Sequence, residues 1–165
     1  MIGDHGTWCK KTVLRYALEV PLVIYAPGIT RGERSEALVE LADLYPTLCD
    51  LLDLPTPEHL EGRSLVPVLR DPSVSVRDHV YAVWPAGAKN PQRTVIGRTV
   101  LDGRYRYTEW RHMESGRLVD REWFDWETDP LESRNLLPDA ADAEALEHLR
   151  AQLLEEWPET AVDTH

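Results

Sequence analysis

The sequence predicts an α/β chain of the α+β kind: the end of a parallel α/β sheet, followed by a small antiparallel sheet packed against a C-terminal helix. Three observations predict it. Pro21 to Tyr25 is a short apolar run stopped by Pro27-Gly28, which reads as a buried strand and a turn. Val95 to Leu101 and Arg104 to Trp110 read as strands joined at Asp102-Gly103, the strongest hairpin signal in the chain. Leu146, Leu149, Leu153, Leu154 and Trp157 fall on one helical stripe near the C-terminus.

The remaining elements follow in order. A polar turn over residues 30–34 leads to Ala37–Leu41, a second candidate strand. Asp43 is placed as the N-cap of a helix with Pro46 in its first turn, where a missing N–H costs little. Tyr45, Leu48, Leu51 and Leu52 give this helix an apolar stripe, and it must stop by Pro55, because the residue before a proline avoids the helical region. Residues 55–79 are loop-like, anchored by Leu60, Leu65, Val66 and Leu69. Val80–Trp84 is a further strand, and a turn near Glu114–Gly116 leads to a last one over Arg117–Phe124. Asp139 or Asp142 caps the final helix, which ends at Pro158, and Glu159–His165 fray. One or two strands and one helix over residues 1 to about 55 cannot close a doubly wound sheet. That part reads as a piece of something larger.

The 165 residues carry 18 Lys+Arg against 29 Asp+Glu, a net charge of −11, which argues against a nucleic-acid binder. No apolar run approaches the ~18 residues of a membrane span. Met1–Lys11 has no basic region followed by an apolar stretch, so no signal peptide is expected there. Cys9 and Cys49 are too few for a disulfide framework or a structural zinc cluster, and whether they pair is left open.

Reactive side chains are densest in the run Gly3-Asp4-His5-Gly6-Thr7-Trp8-Cys9-Lys10-Lys11-Thr12. Asp4 and His5 could bind a metal, but two adjacent groups do not fill a coordination shell; the alternative is a glycine-flanked turn bonded to local backbone. Lys10 and Lys11 could hold an anion or stand solvated. Cys9 near His5 has the composition of a thiol–imidazole pair, at a nonspecific spacing. No serine sits in a Gly-x-Ser-x-Gly elbow. Arg104 and Arg106, alternating with Tyr105 and Tyr107, could grip an anion or form the wet face of a half-exposed hairpin.

Several segments together resemble the sulfatase family of the alkaline-phosphatase-like hydrolases, in family order and through nearly the whole chain. The Gly3–Thr12 run looks like the family's Gly-Glu/Asp-His-Gly-x-Trp-x-Lys segment, and Val20-Pro21-Leu22 with Ala26-Pro27-Gly28 like its following strand. Leu38–Leu48, Leu60-Glu61-Gly62-Arg63-Ser64-Leu65, Arg104–Trp110, Glu122-Trp123-Phe124-Asp125, Asp129-Pro130 and Asn135-Leu136 are similar to further family blocks, and the Arg-Tyr-Arg-Tyr-Thr-x-Trp form looks closest to iduronate-2-sulfatase-like members.

The resemblance implies that residues 1–77 are the incomplete C-terminal part of the sulfatase catalytic domain and residues 78–165 its small subdomain. It implies sulfate ester hydrolysis, on a sulfated carbohydrate or another sulfate ester, with a formylglycine nucleophile and a calcium ion. Both would come from the missing N-terminal half of the catalytic domain, since nothing here matches the family's cysteine motif; this chain would bind no metal and would be inactive alone. Lys10 stands at the position of the family lysine that contacts the sulfate; His5 is a second candidate for that pocket, and Trp84 for stacking on a sugar or for core packing. Arg15 and Glu19 exchange the family's usual signs, which could preserve a salt bridge in reverse or mark a changed substrate preference. Two other functions fit the same elements: a non-catalytic remnant or interaction module, and a phosphoester or phosphonate hydrolase of the same superfamily.

Overall fold

The Asp102-Gly103 turn joins two strands as expected, and its chemistry is local. Asp102 Oδ1 accepts from the amides of Arg104 (2.7 Å) and Tyr105 (2.6 Å), so the side chain holds the turn that its own backbone makes. A computed structural model of the chain describes residues 4–6, 8, 10–86, 94–137 and 142–158. Its regular elements are α1 (Arg15–Leu18), α2 (Leu44–Leu51), α3 (Val66–Arg70), β1 (Val80–Ala86), β2 (Val95–Leu101), β3 (Tyr105–His112), β4 (Leu118–Asp125) and α4 (Ala143–Glu156). They fall into two compact units: Met1–Val20 with Tyr81–His165, and Pro21–Val80.

In the first unit the strands form one sheet in the order β1-β2-β3-β4. β2 and β3 pair antiparallel with Val100 opposite Tyr107, and β4 continues with Trp123 opposite Tyr107. Alternation along the strands sends Val100, Tyr105, Tyr107 and Trp123 to one face, where Leu149 and Leu153 of α4 complete a buried core. Full burial contributes about 1.5–3 kcal/mol for each such leucine. Tyr105 and Trp123 stack with centroids 4.9 Å apart, and Tyr81 meets Trp157 edge-on at 5.4 Å. Asp142 is the N-cap, accepting from the Ala145 amide (3.3 Å); its other oxygen accepts from the Tyr105 hydroxyl (2.9 Å). Burial and this bond push Tyr105 up to about 12. The alternative cap, Asp139, and the tail Glu159–His165 lie outside the described residues.

Both sheet edges carry particular features. On β4, the Asn135 side chain accepts from the Trp123 amide (3.0 Å) and donates to the Arg121 carbonyl (3.0 Å), while the Leu136 amide donates to the Trp123 carbonyl (2.9 Å). β1, at the other edge, contains Pro85, which has no N–H to offer.

The second unit is built on a buried acid. Asp43 is fully buried; its Oδ1 accepts from the Arg63 amide (2.8 Å) and the Arg77 guanidinium, its Oδ2 from the Glu40 amide (2.8 Å). Glu40 in turn pairs with Arg77. Thr47 Oγ1 donates to the Asp43 carbonyl (2.6 Å) and accepts from the Leu65 amide (2.8 Å), tying α2 to the segment before α3. Gly62 passes so close to the 42–43 backbone that a Cβ would lie 2.1 Å from the Ala42 carbonyl oxygen. Asp43 is therefore a hub between three segments; its side chain does not cap α2, which follows a 3-10 turn at Leu41–Asp43.

Two sequence expectations are corrected here. Residues 21–25 and 37–41 form no strand, and Val23 (91% exposed) and Tyr25 (83%) are not buried. A strand needs a neighbouring ladder to satisfy its N–H and C=O groups, and the described residues of this unit supply none. The apolar stripe of α2 also faces outward: Tyr45, Leu48 and Leu52 are more than half exposed, whereas Pro46, Thr47 and Cys49 are buried. The 55–79 region is loop-like apart from α3. Cys49 is a free thiol, and its possible partner Cys9 is outside the described residues.

Asp125, 5% exposed, takes a two-pronged bond from Arg104 (Nε–Oδ1 3.1 Å, Nη2–Oδ2 2.7 Å), which holds its carboxyl below the usual value of 3.8. A lowered carboxyl pKa contributes stability that is complete above the ordinary value and lost as pH falls through the lowered one. Urea midpoints should therefore drop below about pH 4, and Asp125→Asn should lower the neutral-pH midpoint while flattening this acid dependence.

Candidate functional site

The face of the sheet away from α4 is polar where a half-exposed hairpin would be wet, yet it is buried. Arg106 is 0% exposed; its Nε donates to Glu132 Oε1, and its Nη1 donates to Thr108 (2.5 Å) and Glu122 Oε2 (3.1 Å). Phe124 packs against the guanidinium at 4.8 Å. Thr99 and Thr108 share a cross-strand hydroxyl bond (2.8 Å), and Trp110 Nε1 donates to Glu122 Oε1 (3.0 Å). Trp110 lies over its register partner Gly97, where a Cβ would come within 2.8 Å of the ring. Arg106 is thus neither an anion grip nor a wet-face cation. It is a core cation neutralised by two carboxylates, as burial of a guanidinium demands. Arg104 is spoken for by Asp125.

This polar layer receives the N-terminal segment. Glu132, 3% exposed, accepts from Trp126 Nε1 (2.9 Å) with Oε1 and from the Arg15 amide (2.7 Å) with Oε2. The latter satisfies one of the first amides of α1, whose Leu14 cap supplies no side-chain bond. The Arg15 guanidinium lies 4.8 Å from the Trp126 ring centroid and bonds Glu19 (2.8 Å), so residues 15 and 19 form a salt bridge. Val13 and Ala17 are buried.

Ahead of Arg15 lie the sequence candidates. His5 sits in a 3-10 turn, Asp4–Gly6, with left-handed backbone (φ 51°), and its Nε2–H donates to the Leu131 carbonyl (2.8 Å). The turn expected from the glycines is present, but its histidine bonds a residue 126 positions away rather than local backbone. Trp8 (77% exposed), Lys10 and Lys11 project to solvent. His5 and Lys10 therefore share one segment anchored on the sheet. Trp84 is half-buried on β1; since Tyr81 of that strand faces α4, alternation sends Trp84 to the face that carries Arg106. Among the described residues no hydrogen bond, ion pair or ring contact joins Trp84 to His5 or Lys10.

Among the described residues no group of three His, Cys, Asp or Glu side chains could hold a metal ion. A hollow at the hairpin turn, lined by Asp102, Arg104, Tyr105, Asp142, Glu144 and His148, holds none of Lys10, His5 or Trp84, and its three carboxylates make it a poor seat for a dianion. Sequence reasoning missed Glu132, Glu122 and Trp126. Glu122 and Glu132 lie 16 and 26 positions from their partner Arg106, and Trp126 joins them only through Glu132, so no local pattern reports the pairing.

Comparison with solved structures gives the class. A 2-O GAG sulfatase superposes with a TM-score of 0.55 at 34% identity, covering 69% of this chain and 23% of that one. The fold is that of the C-terminal region of a sulfatase. The family model described as N-sulphoglucosamine sulphohydrolase, C-terminal, matches residues 3–159, and the chain belongs to that family. Among curated relatives, a Delta 4,5-hexuronate-2-O-sulfatase of Bacteroides thetaiotaomicron is 32% identical over 81% of this chain and 27% of its own length. An arylsulfatase of Clostridium perfringens is 27% identical over 94% of this chain and 31% of its own. The chain spans about a quarter to a third of the length of the curated relatives it matches.

Arg106→Leu should strand Glu132 and Glu122 without their cation and cost about 3–5 kcal/mol in urea denaturation. Combining it with Glu132→Leu should recover part of that loss, because the fully buried carboxylate is then gone and the partly exposed Glu122 can be hydrated, while the Trp126 indole and the Arg15 amide lose their acceptor.

Proposed function

We propose that this chain is the C-terminal part of a sulfuric ester hydrolase that acts on sulfated sugars, with a sulfate on the 2-oxygen of a uronic-acid-type unit as the first substrate to try. The reading rests on the family match over residues 3–159, together with the exposed ammonium of Lys10 in the block that resembles the family's sulfate-contacting segment. The relatives named for 2-O-sulfated hexuronates and glycosaminoglycans support the substrate class.

Cleavage of a sulfate ester leaves negative charge on the departing oxyanion and on sulfate oxygens that must be stabilised. Lys10 supplies a full charge and three N–H donors on a flexible stem, suited to a tetrahedral anion. His5 spends its Nε2–H on Leu131, so its role is to hold the segment, with only Nδ1 left to face a ligand. Trp84, half-buried on β1, is the residue assigned to stacking on the sugar ring in this reading. The formylglycine and calcium ion that the family resemblance implies would supply the nucleophile and the charge that polarises the sulfate, and none of this chain's described residues is assigned to hold either.

Residues 1–77 would complete the catalytic α/β domain and residues 78–165 would be its smaller subdomain. Support comes from the outward stripe Leu41, Tyr45, Leu48 and Leu52, each 54–66% exposed, which the remaining length of a sulfatase would cover.

The 165-residue chain by itself should release no sulfate from 4-nitrophenyl sulfate above a heat-killed control; measurable turnover would refute the division of labour. In a sulfatase polypeptide carrying this segment, Lys10→Ala should lower kcat by about 10²-fold, as loss of one oxyanion donor does. An unchanged rate removes Lys10 from the site, and hydrolysis of phosphate but not sulfate esters favours the phosphoesterase alternative.

A further inference from the structure

We propose that Glu132, acting with the carbonyl of Leu131, is a positioning residue: it clamps the segment from His5 to Arg15 and thereby fixes where the Lys10 ammonium stands. This rests on the reading of Lys10 as the sulfate contact.

The geometry is a two-point grip. Two adjacent residues hold both ends of the segment, Leu131 O taking the His5 Nε2–H (2.8 Å) and Glu132 Oε2 taking the Arg15 amide (2.7 Å). Between the two points Trp8, Lys10 and Lys11 are exposed, so no burial of their own side chains holds them. The grip is itself rigid. Glu132 Oε1 is occupied by Arg106 and Trp126, and the Asp129 carboxylate takes the amides of Ser133 (2.7 Å) and Arg134 (2.9 Å), fixing the loop that presents both anchors.

Backbone strain collects at the same place. His5 (φ 51°) and Glu132 (φ 52°) are two of the three described non-glycine residues in the left-handed region. Such conformations cost on the order of 1–3 kcal/mol and persist where surrounding contacts over-determine them. A lysine whose backbone is already fixed loses less freedom on meeting an anion, and a shift of about 1 Å in a catalytic group can cost about 10²-fold in rate.

Two arms test this. On the 165-residue chain, trypsin cleavage after Lys10 and Lys11, followed by the mass of the released peptide, reads the grip directly. Glu132→Gln turns one acceptor into an N–H₂ group, and should speed cleavage about tenfold; His5→Ala, at the exposed anchor, should do so without touching the buried network. Tyr107→Phe, which removes the Tyr107–Glu109 bond (2.9 Å) on the α4 face, should leave the rate unchanged. Wild-type cleavage rates in both anchor variants would overturn the clamp. In the sulfatase polypeptide, Glu132→Gln should lower kcat for 4-nitrophenyl sulfate about tenfold with little change in KM. Lys10→Ala added to it should then cost far less than the ~10²-fold expected alone, because the two act as one unit. Fully multiplicative losses would overturn positioning. If Lys10→Ala alone has no effect, the sulfate reading of Lys10 fails, while the trypsin arm still judges the clamp.

Discussion

A guanidinium taken out of water must find its counter-charges inside the protein, and the first unit is organised by how Arg106 does so. Its carboxylate partners come from the neighbouring strand (Glu122) and from the loop after β4 (Glu132), and Glu132 then reaches the first amide of α1. One charge pair thus links strand, loop and N-terminal segment, elements separated by more than a hundred positions. A buried ion pair adds little net stability over a hydrophobic pair of equal volume, but it makes wrong arrangements costly, since either partner alone is a buried orphan charge. The value of the pair lies in that specificity.

The second unit repeats the device with Asp43 and Arg77. Here too a fully buried carboxylate collects donors from segments that share no ladder, the Glu40 amide, the Arg63 amide and the Arg77 side chain. Burial pushes the Asp43 carboxyl up and the Arg77 guanidinium down, with the Arg63 amide and charge opposing the first shift. Polar hubs of this kind can hold a unit whose apolar side chains are turned outward, as those of α2 are.

What was legible in the sequence follows the range of the interaction. The Asp102-Gly103 hairpin, β2, the Asp142 cap and the α4 stripe are set by neighbours within a few positions, and all appear where their patterns put them. The ordered blocks from Gly3 to Leu136 carried the family, because block order is a property of the sequence itself. Period-based reasoning failed at 21–25, at 37–41 and on α2, where an apolar pattern assumes a partner surface that these residues do not contain. Arg106 was misjudged for a related reason: alternation correctly separated it from Tyr105 and Tyr107, but could not report that both faces of the sheet are covered. Of the site, the segment bearing His5 and Lys10 was visible, and the carboxylate that holds it was not, because its partner lies far along the chain.

The margins of the sheet have a consequence of their own. Asn135 and Leu136 already occupy the backbone groups of Trp123 and Arg121, so an incoming peptide finds little of β4 left to zip onto. The opposite margin is interrupted by Pro85. Growth of the sheet by recruiting strands from sister molecules, the usual first step toward fibrils, is thereby blunted on both flanks.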